Sequence, residues 1–600
     1  MSLFGALYIG DSGLRASQNA LNTVAHNLSN INTPGYVRQQ VSQSDTTYSN
    51  SSTNRAGKTL QIGDGVKYSD CRHIRDAFLD AAYREESGRY SYYEVSYSAI
   101  LEIEDIMGEF ADSAFSDSVS ALWSSIQELS KHPNDPTNIS LFVQKSAIFA
   151  ENSTAVYQSF VEYQNNLNRQ VKNAVADINS IGERIVELNK QIMRIESGGV
   201  EGANDLRDER DLLLDTLAGY GNIKYEENVN TSVTVWFNGV NFVNETTMNK
   251  MEMLTDDESG FVTPYWPHNT LWITDKNGQK VQDFESAKVF NLTEKISMAN
   301  GTDMGSLRAL LLARGDHSAD YTDLAVDVCT QRKLDALGIT KEQYNAEYGK
   351  KYYNDYIANS VMMNVMGEFD NLVNNITTRI NRVLAENCDP VSGYLCNKDG
   401  SPIQMFEKLS GSGYEKVMLS DKEYEALKAE GALLIPICDE KGNVIPNNYW
   451  KYIEEDPSNA FSLYTCSNLK INQDLLQTPM LLGFLLEDDS ADFNIGKALV
   501  EEFANEDIYL NPNATKKSSF ESCYTDLMSQ VSSGGNTFKL LYEYEQLAVE
   551  QAENERQTVI GVSHDEELEH MIMFQNAYNA ASRYINVVNS MLDTLLSMAR

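Results

Sequence analysis

The histidines and acidic residues that could perform chemistry come close together near the end of the chain, in the segment HDEELEH of residues 564–570. Two histidines on one helix face can bind zinc when they are four residues apart. His564 and His570 are six residues apart, so they do not have that geometry. The segment is more typical of a polar helix start, with Ser563 or Asp565 as the capping residue. We predict no metal site.

Pairs of adjacent carboxylates, at Glu85-Glu86 and Glu566-Glu567, are the other candidates for acid–base chemistry. Neighbouring residues on a helix point in different directions, so such a pair does not act on a substrate from one face. We predict that both pairs lie on solvated faces. The sequence also holds no P-loop, no GxSxG elbow and no strand-led GxGxxG turn. It therefore predicts a protein that is not an enzyme and needs no cofactor.

Seven cysteines are present, and no two of them form a CxxC pair. An odd number without that spacing gives no support for a zinc ribbon or a redox motif. Cys388 and Cys396 flank a turn-like stretch, where a disulfide is one alternative. Buried free thiols that pack like small apolar side chains are the other alternative, and the one we favour.

The composition of the 600 residues is that of a large folded protein, with 42% hydrophobic and 22% charged residues. Since domains average about 150 residues, the length predicts roughly four of them. The net charge of −38 argues against a nucleic-acid partner or a polybasic membrane-surface protein, because both depend on positive charge. No apolar run has the roughly 18 residues of a membrane-spanning helix. The start, Met1–Ala6, does not resemble a cleaved signal peptide.

The elements at the two ends of the chain are the strongest candidates for a functional surface. Residues 3–31 and 565–599 predict helices with apolar residues in a heptad pattern and few charges. Gly10 and Ser17 leave the first stripe thin. Such stripes need a partner helix, so we predict an assembly interface. Its residues are Leu7, Leu14, Leu21, Leu28, Ile31, Met571, Phe574, Tyr578, Ile585, Val588, Leu592 and Leu595.

Between the ends, the pattern changes from helices to strands and back. The apolar stripe from Val171 to Ile195 predicts a long helix that the other helices of a bundle must cover. Asn238-Gly239 between alternating apolar residues predicts a β-hairpin with a type I′ turn. The polar stretch 42–54 predicts a loop or linker, and Gly534-Gly535 should weaken the helix around them. Further helices are predicted at about 74–131, 138–196, 305–315, 320–386 and 519–560, and further turns at 275–278, 398–400 and 441–443.

These elements predict a multidomain α+β fold. It has coiled-coil-like terminal helices, a long-helix bundle built from both ends of the chain, and β-rich domains inserted in the middle. The predicted domains are a terminal helical domain with a linker (1–73 with 561–600), a helical bundle (74–222 with 303–388 and 516–560) and two β-rich domains (223–302 and 389–515).

Three stretches carry a resemblance to a known family. The stretch LNTVAHNLSNINTPGYVRQ at 21–39 resembles the N-terminal motif of the bacterial flagellar rod, hook and hook-associated axial proteins. GVSHDEE at 561–567, with MFQNAY at 573–578 and MLDTL at 591–595, resembles the C-terminus of the hook-associated members, as does ANDLRDERDLL at 203–213. Rod and hook proteins lack the long helical region predicted at 74–219, so the resemblance favours the hook–filament junction members. The seven cysteines are a departure, since this group is usually cysteine-poor.

The resemblance implies a secreted structural protein of the flagellum that joins the hook to the filament. It implies export through the flagellum's own apparatus without a cleaved signal, and assembly as a homo-oligomeric ring at the hook tip. The implied partners are the hook protein, a second junction protein on the filament side, and an export chaperone at the C-terminal region.

Two alternatives stay open on the sequence alone. One is the flagellar hook protein or another axial protein. The other is a secreted assembly subunit whose middle domains carry an adhesive or enzymatic activity. A deep pocket with convergent polar groups in the middle of the chain would favour an enzymatic activity there.

Overall fold

The structure is a computed structural model that describes residues 3–53, 59–108, 115–199, 202–274, 280–411, 413–439, 443–485 and 490–598. The predicted multidomain α+β class is confirmed, since long helices from both ends of the chain share a core and small sheets lie between them in sequence. The first element is the helix α1 (Leu3–Ser29).

The segment after α1 forms strands, and the prediction of a loop or linker at 42–54 is wrong for its described part. β1 (Gln39–Asp45) pairs antiparallel with β4 (Val66–His73), and β2 (Tyr48–Thr53) pairs with β3 (Thr59–Gly63). A chain rich in serine and threonine cannot build an apolar core, but a strand ladder satisfies its backbone groups without one. The backbone N–H of Val66 donates to Ser12 Oγ at 3.3 Å, which ties β4 to α1.

Four helices follow, and the predicted helix at 74–131 is two helices rather than one. Gly108 ends the first of them in the left-handed conformation, with φ of 71°. Asp135 caps the longest helix by accepting a hydrogen bond from the N–H of Thr137. That helix has 61 residues, which corresponds to about 90 Å. The four are α2 (Ala77–Met107), α3 (Phe115–Lys131), α4 (Pro136–Glu196) and α5 (Asn204–Tyr220).

The first inserted region consists of short antiparallel strands. The predicted hairpin is confirmed, since Asn238 and Gly239 have φ of 47° and 79°, as a type I′ turn requires. The predicted turn at 275–278 lies outside the described residues, between two strands that pair antiparallel. The strands are β5 (Ile223–Glu227), β6 (Val233–Phe237), β7 (Val240–Val243), β8 (Glu252–Thr255), β9 (Val262–Tyr265), β10 (Leu271–Thr274) and β11 (Lys280–Asp283).

The predicted helix at 305–315 is confirmed, but the one at 320–386 is broken into short pieces before its long final part. The buried Lys333 holds one irregular turn, because its Nζ donates to the carbonyls of Thr322, Ala325 and Val328 at 2.6–3.1 Å. Gly338 ends the helix that carries Lys333, with φ of 64°. The helices are α6 (Ser306–Arg314), α7 (Tyr321–Leu324), α8 (Gln331–Leu337), α9 (Ala346–Tyr352), continued by a π-helical turn (Tyr353–Ile357), and α10 (Val361–Glu386).

The second inserted region mixes strands with helices that the sequence did not predict. The predicted turn at Lys398–Gly400 is confirmed, with a φ of 82° at Gly400. In the predicted turn at 441–443, residues 441 and 442 lie outside the described residues. The elements are β12 (Phe406–Lys408), β13 (Tyr414–Met418), α11 (Asp421–Ala429), β14 (Leu434–Cys438), β15 (Val444–Tyr452), β16 (Leu469–Ile471), α12 (Gln473–Gln477) and α13 (Phe493–Ala504). β15 is the central strand of a sheet with β13 and β14.

The last two helices are α14 (Phe520–Ile560) and α15 (His564–Met598). The prediction that Gly534-Gly535 weakens α14 is wrong, because the helix is continuous through both residues. A Cβ atom on Gly535 would lie 3.1 Å from Cγ2 of Ile100 in α2. These glycines therefore let two helices approach closely.

The apolar stripe of α4 is covered by more than helices. The buried residues between Val171 and Val186 share a core with α5 and α6, and also with β6 and β7, whereas Leu188 and Ile192 form a small cluster with Ala203. Ile195, at the end of the stripe, is 39% exposed. We expected the helices of a bundle to cover this stripe, and a small sheet takes over part of that role.

Three asparagines on α4 fasten the first inserted region to this helix. Asn189 donates to the carbonyl of Val233 at 2.9 Å and accepts from the N–H of the same residue at 3.0 Å. Asn179 makes the same pair of bonds with Met251. Asn168 donates to the carbonyl of Gly260 at 3.2 Å and accepts from the N–H of Val262 at 3.0 Å. The three asparagines are spaced about three helical turns apart, so they lie on one face of α4.

The main core combines helices from distant parts of the chain. Its buried apolar residues come from α2, α3, α4, α10 and α14. Residues 395–406 and 464–510 of the second inserted region also belong to it, whereas the β13–β15 sheet has a small core of its own around Tyr414 and Trp450. Part of the second inserted region is therefore packed into the main core.

Candidate functional site: the terminal helix pair and its polar hub

The two ends of the chain pack against each other through small side chains. α1 and α15 lie antiparallel, and Gly10 and Gly13 of α1 face Ile585 and Ala581 of α15. A Cβ atom on Gly10 would lie 2.7 Å from Cγ1 of Ile585, so the neighbouring helix excludes any larger residue unless it shifts. Ser17 is buried as well, and its hydroxyl donates to the carbonyl of Gly13 at 2.8 Å. The positions that thin the leucine stripe are therefore where the helices come closest.

The predicted interface residues border this seam. On α1, Leu7, Leu14, Leu21 and Leu28 are half-buried, and Ile31, beyond the helix, is 37% exposed. On α15, Val588 is buried and Leu595 is 51% exposed. The remaining predicted residues of α15 are half-buried, namely Met571, Phe574, Tyr578, Ile585 and Leu592. Their role in assembly stays a prediction.

Several large apolar side chains on the same two helices are exposed to solvent, and one of them, Tyr584, also lies beside Gly10 at the seam. We call this set the outer band. Contiguous exposed apolar surface is uncommon on a monomeric soluble protein and marks interaction sites. The outer band consists of Phe4, Tyr8, Ile572, Met573, Tyr584, Val587, Met591, Leu595, Leu596 and Met598.

A group of buried polar contacts lies where the helix pair meets the rest of the chain. We call it the polar hub and define it by Asn27, Arg38, Asp208 and Glu567. Asn27 donates to the carbonyl of Gln39 at 2.9 Å and to Oε2 of Glu567 at 3.1 Å. Its Oδ1 accepts from the hydroxyl of Tyr36 at 2.8 Å and from the N–H of Gln39 at 3.1 Å. One side chain thus uses all four of its hydrogen bonds to hold α1, β1 and α15 together.

Arg38 joins the two ends by charge. Its Nε lies 2.9 Å from Oε1 of Glu567, and its Nη1 lies 2.9 Å from Oε2 of Glu566. The backbone N–H of Arg38 also donates to the carbonyl of Ile560 at 2.9 Å. Glu567 is 2% exposed, so the prediction that this carboxylate is solvated is wrong. Its burial depends on the cation and the amide that satisfy it.

The acidic residues of α5 complete the hub from the side of the helical body. Oδ2 of Asp208 accepts from the N–H of Val37 at 3.2 Å. Oδ1 of Asp205 accepts from the side chain of Gln39 at 3.0 Å and lies 3.3 Å from Nε2 of His26. The segment at 203–213 therefore binds the segment at 21–39 directly.

A neutral pair of ionisable groups sits beside the hub. Nε2 of His73 and Oδ1 of Asp208 are 3.6 Å apart, and both side chains are largely buried. Burial lowers the pKa of His73 to about 4 and raises the pKa of Asp208 to about 8. Burial therefore favours the uncharged form of both groups.

A network of buried ion pairs lies behind the hub and binds α14 to α2 and α5. Asp215 stands between two cations, with Oδ1 2.7 Å from Nε of Arg84 and Oδ2 2.6 Å from Nη1 of Arg556. Multiply paired charges of this kind tolerate burial, because each desolvated group has several partners. The network consists of Arg75, Arg84 and Arg556 with Asp80, Asp211 and Asp215.

The cavities are lined by groups that are mostly paired within the protein. A cleft of about 870 Å³ beside the hub has both signs of charge in its wall, including Arg207 and Glu196, which are 2.8 Å apart. In the middle of the chain, a pocket of about 440 Å³ lies between α10 and the β13–β15 sheet. Asn374 and Asn381 in its wall donate to backbone carbonyls, so they serve the fold.

Two further properties bear on the kind of site present. In the described ranges, no group of three or more histidine, cysteine, aspartate or glutamate side chains is arranged to hold a metal ion. No described helix combines the length and the apolar character needed to cross a bilayer. What the hub does is mechanical, since it fixes the terminal helix pair to the body.

Sequence reasoning found the three segments that meet in the hub but not the residues that make the contacts. Asn27 lies between the apolar stripe and the turn, and Arg38 follows that turn. A signal was present in Arg38, which is a charged residue within an otherwise nearly uncharged segment, whereas Glu567 is one of several acidic residues in 565–569. Their partnership spans the whole chain, so no local pattern indicates it.

Comparisons with known proteins match the same three parts of the chain. Residues 100–337 match the family described as flagellar hook-associated protein FlgK helical domain. Residues 7–36 match the flagella basal body rod protein family, and residues 559–598 match the flagellar basal body rod FlgEFG protein C-terminal family.

Three individual relatives share the name flagellar hook-associated protein 1. Flagellar hook-associated protein 1 of Bacillus subtilis is 36% identical over 228 residues, which is 38% of this chain and 45% of that protein. The proteins of that name from Salmonella typhimurium and Escherichia coli are 24% and 23% identical, each over 98% of both chains. The solved structure of the flagellar hook junction protein FlgK from Burkholderia pseudomallei aligns over 81% of this chain and all of that chain, with a TM-score of 0.49 and 11% identity.

The paired terminal helices and the matches at both ends define a flagellar axial protein. The match of the helical body and the full-length relatives narrow the resemblance further, to flagellar hook-associated protein 1.

Proposed function

We propose that the chain is a structural, non-enzymatic subunit that joins the flagellar hook to the filament and assembles as a ring at the hook tip. The outer band carries this proposal. Its apolar side chains, such as Val587, Met591 and Leu596, are exposed to solvent. They lie on helices that the polar hub holds to the helical body. Neighbouring protomers cover this band in the ring, which removes its apolar surface from water.

The proposal includes the partners and the route of the protein. The hook protein lies on one side of the ring, and a second junction protein lies on the filament side. The chain leaves the cell through the flagellar export apparatus without a cleaved signal, and an export chaperone holds its C-terminal region beforehand. We further propose that residues 1–73 and 561–600 act together as the domain that faces the inner tube.

Electron microscopy of a deletion strain tests the junction role. Cells that lack the protein should carry hooks without filaments, and the wild-type gene should restore the filaments. Loss of the whole hook would contradict the proposal, because it would identify a hook protein.

Two substitutions separate assembly from folding. Val587→Asp changes a residue of the outer band that is 51% exposed in the single chain, so it should leave the melting temperature unchanged while abolishing filaments. Val229→Asp, at a fully exposed position far from the band in sequence, is the control and should restore filaments. Filaments of normal number with Val587→Asp would show that the band is not the interface.

A further inference from the structure

Two cysteines meet where the long helix α10 leads into the second inserted region. Cys388 follows directly after α10, and its thiol is hydrogen-bonded to that of Cys396. Cys396 also donates from its own thiol to the carbonyl of Tyr394 at 3.2 Å. Both cysteines are free and partly exposed, so reagents can reach them.

The backbone between the two cysteines holds them in this position. Asp389 and Tyr394 exchange two backbone hydrogen bonds of 2.9 Å, which closes the intervening turn. Leu395 then adopts a left-handed conformation with φ of 49°, and its side chain is buried in the main core. Its carbonyl accepts from the N–H of Ile403 at 2.9 Å. Cys396 follows directly on this bend, with its thiol against that of Cys388.

We propose that Cys388 and Cys396 are a redox modification site, which closes to a disulfide when the protein meets a disulfide-bearing oxidant such as oxidised glutathione. This site is independent of the proposed junction role, because the disulfide can be tested on the purified chain without any flagellar partner. The bond would fasten the end of α10 to the start of the second inserted region, at the edge of the β13–β15 sheet.

The chemistry is a pair of thiol–disulfide exchanges. The Cys396 thiolate attacks one sulfur of oxidised glutathione and expels one glutathione thiolate. Deprotonated Cys388 then attacks the Cys396 sulfur, forms the protein disulfide and expels the second glutathione. The two protons lost by the cysteines end on the two released glutathione molecules, so the protein pair is oxidised and the glutathione pair is reduced.

A third cysteine, Cys438, could form a disulfide that competes with the 388–396 bond. Cys438, at the end of β14, is partly exposed and lies close enough to Asp389 and Cys396 for their charges to raise its pKa, after the larger effect of its burial. Its thiol lacks the contact that Cys388 makes. We therefore expect the 388–396 bond to form in preference to a bond with Cys438.

Peptide mass mapping of the purified full chain after incubation with oxidised glutathione and alkylation tests this site. Trypsin releases both cysteines in one peptide, because 383–398 contains no internal lysine or arginine. Most of this peptide should be lighter by two hydrogens and unalkylated. Cys71 and Cys329, also partly exposed, should be alkylated or carry glutathione singly.

Two variants sharpen the result. Cys438→Ser should leave the lighter peptide unchanged, whereas Cys396→Ser should abolish it and leave glutathione on Cys388. Oxidised wild-type protein should melt at a higher temperature than reduced protein, and Cys396→Ser should show no such shift. Full alkylation of both cysteines after oxidation, or a dominant crosslink to Cys438, would overturn the assignment.

Discussion

Arg38 and Glu567 lie 529 residues apart in the chain, and Nε of the arginine is 2.9 Å from Oε1 of the glutamate. Arg38 lies between the turn that follows α1 and the start of β1, and Glu567 belongs to the first turn of α15. The contact therefore connects the start of the protein to its end at the point where both join the helical body. Both partners belong to the stretches whose sequences resemble flagellar axial proteins.

Removing the cation should loosen α15 from the body. Arg38→Ala leaves the buried carboxylate of Glu567 with Asn27 alone, which should cost about 3 kcal/mol, the lower end for breaking a buried ion pair. Amide hydrogen exchange should become faster across the first turns of α15 and stay unchanged in α10.

The matched control is Arg15→Ala, which removes an ion pair with Asp11 whose side chains are 76% and 47% exposed. Exposed pairs of this kind contribute about 0–1 kcal/mol. If the two variants exchange alike, the hub does not hold α15.

Alanine substitution at the two glycines of the seam, which are three residues apart, should have opposite effects on stability. Gly10→Ala places a Cβ atom 2.7 Å from Cγ1 of Ile585, so the helices must separate and the pair should weaken. Gly13→Ala finds Ala581 at an ordinary 3.7 Å and should gain up to about 1 kcal/mol from better helix propensity. Chemical denaturation of both variants measures the difference, and equal stabilisation would show that the seam is not close-packed.

Local patterns predicted most of the long elements. The heptad stripes predicted α1 and α15, and Asn238-Gly239 predicted its hairpin turn, because these signals depend on residues close in sequence. Glycine was harder to interpret. Gly10 and Gly535 resemble weak points when read locally, yet each accommodates a helix that lies hundreds of residues away in the chain.

The contacts that build the site could not be predicted in this way. Asn27 looks like a polar residue at a helix end, and Glu567 like one of two surface carboxylates. Their burial follows from tertiary partners, which a single sequence does not reveal. The strands at 42–53 escaped prediction for a related reason, since they depend on pairing with β3 and β4, which follow later in the chain.

The asparagines of α4 should be needed for docking of the first inserted region. Asn189→Ala leaves the N–H and the carbonyl of Val233 unsatisfied in a buried position, at a cost of about 1–3 kcal/mol. Asn165→Ala, at an exposed position that bonds only its own helix, is the control and should change stability by less than about 0.5 kcal/mol. Equilibrium unfolding in urea compares the two variants. Equal effects on stability would refute the role of Asn189 in docking the first inserted region.

Stability should fall with rising pH because of a carboxyl group between α2 and α14. Glu545 is fully buried, facing Glu86 and Arg89 of α2 and Asp303 ahead of α6. Burial, and then the neighbouring carboxyl group of Glu86, raises its pKa from 4.5 to about 7. Between these values the folded chain keeps a proton that the unfolded chain has lost, so the folded state loses stability as pH rises through this window.

Glu545→Gln removes the ionisation and keeps a polar side chain. The variant should be more stable than wild type at pH 8 by about 1–2 kcal/mol and should show a shallower pH dependence between pH 5 and 7. Glu543→Gln, at a half-exposed position two residues away, should behave as wild type. The unfolding free energy measured at several pH values decides between them, and parallel curves for Glu545→Gln and wild type would contradict the assignment.

The distance along the chain between Arg38 and Glu567 also affects the order in which the parts of the protein fold. Joining Arg38 to Glu567 in an unfolded chain closes a loop of 529 residues, and the entropic cost of closure grows with loop length. Once Arg556 has bound Asp215, only Gly561–Ser563 separate α14 from the helix that carries Glu567, so the remaining closure is short. The body therefore forms first and the terminal helices dock last. A chain that ends before Arg556 never displays the outer band, which makes completeness of the subunit a precondition for its own assembly.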